Sequence, residues 1–389
     1  MTVGIIMQKN FKFDAILFSG VTILAAISLL IIYSFSSGEN NYLGIAFFYK
    51  QLTAVVIGLL GMLFFAIYDY RVFLKFSSWL YFFAILLLVW VMLFGENIRG
   101  TTGWINFGLF NFQPVELVKV ILIIFLASFF TKKKREFGVK TRIIASLVLI
   151  AIPVFLILKQ PDLGSALIII FVWLGMTLAS KIGKKNVLFI ILLGILVSFM
   201  GAYLLKDYQT ERLRNFVDPF RDPKGSGYNV IQSMIAIGSG GVWGKGLGHG
   251  SQSQLNFLPE KHTDFIFAAL AEELGFLGSA FVLGIFILIF YRLKEIARHS
   301  RDNFGYLIVV GTMVLVFSQS FINIGMNMGI APVTGVPLPF LSYGGSAIIS
   351  IFMLFVVFGA MTISQGKYAT SPSIIFRSKF GYPSVASAG

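Results

Sequence analysis

The sequence predicts an all-α fold: a polytopic membrane protein of about ten transmembrane helices with both termini cytoplasmic. Three observations lead there. Of 389 residues, 57% are hydrophobic and only 12% charged, against roughly 25% charged in soluble domains. Apolar runs close to the ~20 residues that cross a bilayer recur along the chain. The Lys and Arg residues between those runs alternate between crowded and sparse loops, as in a chain threaded back and forth through a membrane.

The first span, 15–35, follows Lys9 and Lys12. Its apolar run from Ala15 to Tyr33 is longer than a signal-peptide core and has no small-x-small cleavage site, so it reads as an uncleaved helix. Polar breaks then delimit spans at 47–67, 76–94, 115–130, 143–158, 163–180, 187–205, 265–291, 306–330 and 345–363. Twenty of the 31 Lys and Arg fall on one side, with the densest cluster at Lys132 to Arg142; ten fall on the other, and Lys119 lies within a span. The crowded side is cytoplasmic by the positive-inside rule. The net charge of +14 is thereby explained without a nucleic-acid partner. One long outer loop, 206–263, joins spans seven and eight; it is Gly-rich, and its apolar stretch Tyr228 to Ile237 is expected to form a short interfacial helix. Residues 1–365 form one membrane domain, and the Ser/Pro/Gly-rich segment 366–389 is expected to be a disordered cytoplasmic tail.

Spans four, six, eight and ten begin at the outer face, each near a proline and polar groups. The strings are Gln113-Pro114-Val115-Glu116, Gln160-Pro161-Asp162, Pro259-Glu260-Lys261-His262-Thr263-Asp264, and Pro337-Leu338-Pro339 before Ser342-Tyr343-Gly344-Gly345. Proline suits a first helical turn, and helix N-termini favour anions, so converging ends could hold a diphosphate. The alternative is that Pro and Asp or Glu merely start helices well. A helix beginning at Asp264 would place Ala268, Ala271, Gly275 and Gly278 on nearly the same face, a small-residue surface open to another helix or a ligand. Asp264 is then either a general base or a simple N-cap. Glu116 and Lys119, three apart on one helix face, are either a structural ion pair or a phosphate contact. Glu272 and Glu273 read as structural or cavity-lining. Gln319, Asn323 and Asn327 form one polar stripe that bonds neighbouring helices or lines a headgroup path. With no cysteine and three scattered histidines, no thiolate or histidine metal site is expected, and no nucleotide-binding loop or organic-cofactor motif stands out.

Phe257 to Phe267, continuing through Ala271-Glu272-Glu273-Leu274-Gly275, resembles the SEDS family (shape, elongation, division and sporulation). So do Gln160-Pro161-Asp162-Leu163-Gly164, Ala236 to Gly241, Asn323-Ile324-Gly325-Met326 and Gly335 to Ser346. His249 to Gln254 is similar to the elongation branch more than to the division branch. The resemblance covers roughly 14–365. It implies a ten-helix peptidoglycan glycosyltransferase that polymerises lipid II into glycan strands at the outer face of the bacterial cytoplasmic membrane, releasing undecaprenyl diphosphate. It places the essential aspartate on Asp264 and helix-four motif residues on Trp104, Gln113, Pro114, Glu116 and Lys119. Trp104, Glu116, Lys119, Asp162, Glu260, Lys261, His262, Thr263, Ser342 and Tyr343 are the expected substrate-binding residues. It also implies a class B penicillin-binding protein transpeptidase and other elongation-complex membrane proteins as partners, and a divalent cation (Mg2+ or Mn2+) in support. Gly103 and Val115 depart from the arginine and serine usual in relatives. The outer loop could hold the growing strand. A lipid II flippase and a non-catalytic scaffold that activates the transpeptidase are the rival readings.

Overall fold

The computed structural model of the protein describes residues 14–366, apart from 38–40, 66–68, 99, 109–110, 133–137, 181, 183–184, 191, 193, 195–206, 224 and 226. Helices form where the apolar runs lie: α1 (Ala15–Ser34), α2 (Asn41–Phe65), α3 (Arg71–Phe94), α4 (Pro114–Lys132), α5 (Val139–Lys159) and α6 (Leu163–Ala179). After the undescribed stretch come α7 (Asp207–Val217), α8 (Tyr228–Ser239), the single turn α9 (Ser251–Gln254), α10 (Ile266–Arg298), α11 (Asn303–Asn327) and α12 (Gly345–Gly366). Among the described residues seven helices are long and apolar enough to cross a membrane, and α6 and the start of α12 are shorter apolar helices. Described helices thus stand at nine of the ten expected spans. The seventh, 187–205, lies mostly outside the described residues, as do the terminal Lys9 and Lys12 and the tail from 367 onward. The expected interfacial helix at 228–237 is α8.

Several helices outrun their hydropathy windows. α2 starts at Asn41 and α3 at Arg71, because the helical backbone continues past the apolar stretch. The all-α bundle also carries one small element of strand. Residues 95–113 fold into a small antiparallel sheet in the order β1 (Glu96–Ile98), β2 (Thr101–Asn106), β3 (Asn111–Phe112). Thr101, Thr102, Trp104 and Ile105 favour strand, and Gly100 and Gly108 take positive φ of 80° and 77° at the turns. A span-length reading does not see strands this short.

α4 is the centre of the bundle, buried around nearly its whole circumference between α3, α6, α11 and α12, as a helix apolar all round must be. At the end of the bundle that the charge bias makes cytoplasmic, Asp14 caps α1 (Leu17 N–H, 3.0 Å) and accepts from Arg292 Nη2 at 2.6 Å, tying α1 to α10. Asp302 caps α11 (Gly305 N–H, 2.7 Å) and accepts from Tyr70 Oη at 2.8 Å and Arg71 Nε at 3.1 Å.

α10 is broken. Gly275 sits at φ 68°, ψ −164°, a conformation essentially confined to glycine. The helical bonds that would run from Phe276 to Glu272 and from Leu277 to Glu273 are absent. All four groups instead pair with the glycine-rich outer loop: Phe276 N–H with Gly241 O (2.9 Å), Leu277 N–H with Val242 O (3.2 Å), Lys245 N–H with Glu272 O and Gly246 N–H with Glu273 O (both 3.0 Å). A Cβ on Gly275 would lie 2.2 Å from Gly244 N, and one on Gly244 2.2 Å from Glu273 O. Gly275→Ala is therefore expected to destabilise the protein by at least the roughly 1–3 kcal/mol of such backbone strain. Thermal unfolding in detergent reads the loss; a melting point equal to wild type would refute this account of the break.

Candidate functional site

The end of the bundle predicted to face outward is organised around the turn 260–265. Glu260 takes φ 51°; its carbonyl accepts from Thr263 N–H (3.1 Å) and Phe265 N–H (3.2 Å), and its Oε2 accepts from Thr263 Oγ1 at 2.9 Å. α10 therefore begins at Ile266, with Phe265 and not Asp264 in the N-cap position. This corrects two expectations. Asp264 is not the N-cap, and the face through Ala268, Ala271, Gly275 and Gly278 is not continuous, because the turn delays the helix and Gly275 interrupts it.

The polar stripe of α11 does the capping. Asn327 Oδ1 accepts from Ala268 N–H (3.0 Å), and Nδ2 of both Asn323 and Asn327 donates to the Asp264 carbonyl, each at 3.0 Å. Asn323 Nδ2 also donates to Val336 O (2.8 Å). The Asp264 backbone is thus fixed from α11, and the residue is partly buried. Oδ2 faces Gly335: a Cβ there would lie 3.6 Å from it.

The segment before α12 closes around the same turn. Ser342 Oγ donates to Thr263 O (2.6 Å) and accepts from Leu338 N–H (2.8 Å); Tyr343 N–H donates to His262 O (2.7 Å). The His262 ring stacks on Phe47 with centroids 4.5 Å apart and meets Tyr343 edge-on at 5.7 Å. Gln51 Nε2 donates to Ser342 O (3.1 Å) while its Oε1 accepts from Gly344 N–H (3.2 Å).

The expected convergence of helix ends is present. The segment 334–346 links all four: Gln113 N–H donates to Ser346 Oγ at 2.9 Å, a Cβ on Gly164 would lie 2.6 Å from Thr334 O, and α10 and α12 join through Asp264, Gly335, Thr263 and Ser342. Glu260, His262, Thr263, Asp264, Ser342 and Tyr343 are brought together here. Asp162 caps α6 beside them, accepting from Ser165 N–H at 2.9 Å. Others are held elsewhere. Trp104 lies in β2, donating from Nε1 to Thr101 Oγ1 at 3.1 Å. Lys261 turns toward the outer loop, donating to Ser253 O and, at 2.9 Å, to Asn256 Oδ1. Burial pushes the Lys261 pKa below its ordinary value, against the opposing pull of Glu273 and Glu272. Glu116 and Lys119 form a mutual ion pair of 2.8 Å with side chains 3% and 2% exposed. Glu272 is structural: it accepts from Gln252 N–H (2.8 Å), Ser253 N–H (2.9 Å) and Lys245 Nζ (2.9 Å), so anchoring α9. Gln51 escaped notice in the sequence, although a lone amide within an apolar run is itself a signal.

Among the described residues no three Asp, Glu or His side chains gather as a metal cluster.

Removing one partner of a buried ion pair strands the other charge, at a cost of about 3–5 kcal/mol. Lys119→Met should therefore unfold at markedly lower temperature in detergent, and Glu116→Gln with Lys119→Met should recover most of the loss. A single variant as stable as wild type would show that the pair is not structural.

Comparison with known proteins agrees with this architecture. The family profile of FtsW, RodA and SpoVE, described as cell cycle proteins, matches residues 14–366. The chain is 39% identical over 352 residues to peptidoglycan glycosyltransferase MrdB of Escherichia coli K12, covering 90% of this chain and 93% of the relative. It is 32% identical to peptidoglycan glycosyltransferase RodA of Treponema pallidum, covering 86% and 94%. Among solved structures it is similar to a chain of a peptidoglycan synthase complex studied for the coordination of polymerization and crosslinking (TM-score 0.76, 30% identity, 92% of this chain and 99% of that one). It is also similar to the rod shape determining protein RodA of Thermus thermophilus (TM-score 0.67, 25% identity, 92% and 98%). A multi-pass bundle whose signature segments meet around one outer turn, matched along nearly its whole length, belongs to the FtsW/RodA/SpoVE family, the SEDS proteins.

Proposed function

We propose that the protein is a peptidoglycan glycosyltransferase that polymerises lipid II into glycan strands at the outer face of the cytoplasmic membrane, during cell elongation and shape maintenance. What supports the site assignment is the setting of Asp264: α11 holds its carbonyl through Asn323 and Asn327, the segment before α12 holds the adjoining carbonyls of His262 and Thr263, and its Oδ2 faces Gly335 beside the converging helix ends. In the reaction an acceptor sugar hydroxyl attacks the anomeric carbon of the donor, forming the glycosidic C–O bond as the bond to the lipid diphosphate breaks. Asp264 accepts the hydroxyl proton, and the diphosphate leaves with the bonding electron pair. The N-terminal ends of α4, α6, α10 and α12 supply partial positive charge and N–H donors toward that leaving group. The Glu116–Lys119 pair is internally neutralised, which favours a supporting structural role over direct phosphate binding.

The flippase reading needs a polar path to the cytoplasmic side. Two of the three amides that would line it, Asn323 and Asn327, are spent holding the Asp264 turn, and below them α4 and α11 meet through apolar residues such as Leu122, Ile123, Leu315 and Val316. The likeness to a polymerizing and crosslinking complex supports a transpeptidase partner of the class B type.

Purified protein given lipid II should make glycan polymer, and Asp264→Asn should lower the rate by about 10²–10⁴, the usual contribution of a general base, without losing thermal stability. Absence of polymer from wild type, with or without its transpeptidase, would overturn the transferase reading. Full activity of Asp264→Asn would overturn only the base.

A further inference from the structure

Outside the Asp264 turn the outer loop encloses a cavity of about 300 Å3 between α7, the start of α8 and the segment 329–333. That volume is at the low end of the roughly 300–1,000 Å3 of small-molecule sites. Its wall is mixed: Glu211, Arg212, Asn215 and Phe216 from α7 and Asn229 from α8 line it together with the apolar Val230, Ala331, Pro332 and Val333. Phe216 is 38% exposed. Carboxylate, guanidinium and amide groups bracketing an exposed ring match the chemistry of an N-acetylated sugar. Such a sugar offers hydroxyls and amides to polar side chains and a flat C–H face to an aromatic one.

The cavity adjoins the proposed reaction centre. Val333 lines it and Gly335 faces Asp264, and two residues of chain span at most about 7 Å. Between them Thr334 Oγ1 is buried with no hydrogen-bond partner in the protein. The two places also share a frame: Ser233 Oγ of α8 donates to Asn327 O (2.7 Å), and Asn327 is the residue that holds the Asp264 carbonyl. A glycine at 329, with φ 73°, keeps the floor open; a Cβ there would meet Met234 Sδ at 2.9 Å. We propose that this cavity is a saccharide subsite that holds a sugar of the glycan strand next to the reacting unit. The proposal rests on the transferase reading and adds to it the place where the polymer is gripped.

The test uses a lipid-free tetrasaccharide of alternating N-acetylglucosamine and N-acetylmuramic acid, titrated into the full-length protein in nanodiscs. Wild type should bind it. Asn215→Ala with Asn229→Ala, and separately Phe216→Ala, should each weaken binding about tenfold, a change of about 1.4 kcal/mol, at unchanged melting temperature. Asp264→Asn should bind as wild type does. The cavity variants should also make shorter strands from lipid II. Wild type that polymerises lipid II but does not bind the tetrasaccharide would overturn the subsite and leave the transferase intact, as would cavity variants that bind with wild-type affinity. Binding that depends on the cavity in a protein that makes no polymer would keep the subsite and reject the transferase.

Discussion

The structure depends on one constraint: where a helix starts late or breaks within a membrane bundle, the freed backbone groups must be paired by the protein itself. Two devices meet it. At the break in α10, a loop rich in glycine comes close enough for its own backbone to replace two helical hydrogen bonds with four new ones. At the start of α10, a side-chain amide, Asn327, takes the capping role. The second device has the greater consequence. Asn327 ties the first turn of α10 to α11, and with Asn323 it holds the Asp264 carbonyl, so the turn that carries this carboxylate is fixed to the bundle.

The same constraint explains the composition of the outer loop. A stretch with seven glycines between 238 and 250 looks, from sequence, like a flexible linker. In the structure two of these residues face backbone at distances that admit no side chain: a Cβ on Gly240 would lie 2.0 Å from Ala271 O, and one on Gly244 2.2 Å from Glu273 O. Glu272 then fastens the next turn, α9, and Gln254 of that turn donates to Glu273 Oε1 at 3.1 Å. The loop is therefore part of the fold of α10.

What could be read in advance follows from how each feature is encoded. Spans are encoded in average hydropathy over some twenty positions, so α1 to α6 and α10 to α12 were legible and their ends were not. Arg71 and Lys75 end an apolar window but not a helix. The sheet at 95–113 is encoded in a few β-prone residues and two glycines, below the resolution of any span-length average. The polar stripe of α11 was legible as a helix-bonding surface, yet its specific partner, the carbonyl of Asp264, lies 59 positions from Asn323 and has no local signature. Asp264 itself was singled out by its neighbours in sequence and by family resemblance. That two amides of α11 hold its carbonyl is visible only in three dimensions.

Depth separates the charged groups by role. Glu116 and Lys119 are deep and almost wholly buried, and there they are tolerable only as a pair that cancels. Asp162 and Asp14 are spent on helix caps. Asp264 lies at the outer end of the bundle, half-buried, on a turn held by three neighbouring segments of the chain. A carboxylate that must be ionised to take a proton, and must stand still while a bulky lipid-linked sugar approaches, needs both partial contact with water and a rigid support. The carbonyl of Asp264 is held by two amides of α11, next to the carbonyls of His262 and Thr263 that the segment before α12 holds. That combination, more than charge or burial alone, makes it the group on which glycosyl transfer would turn.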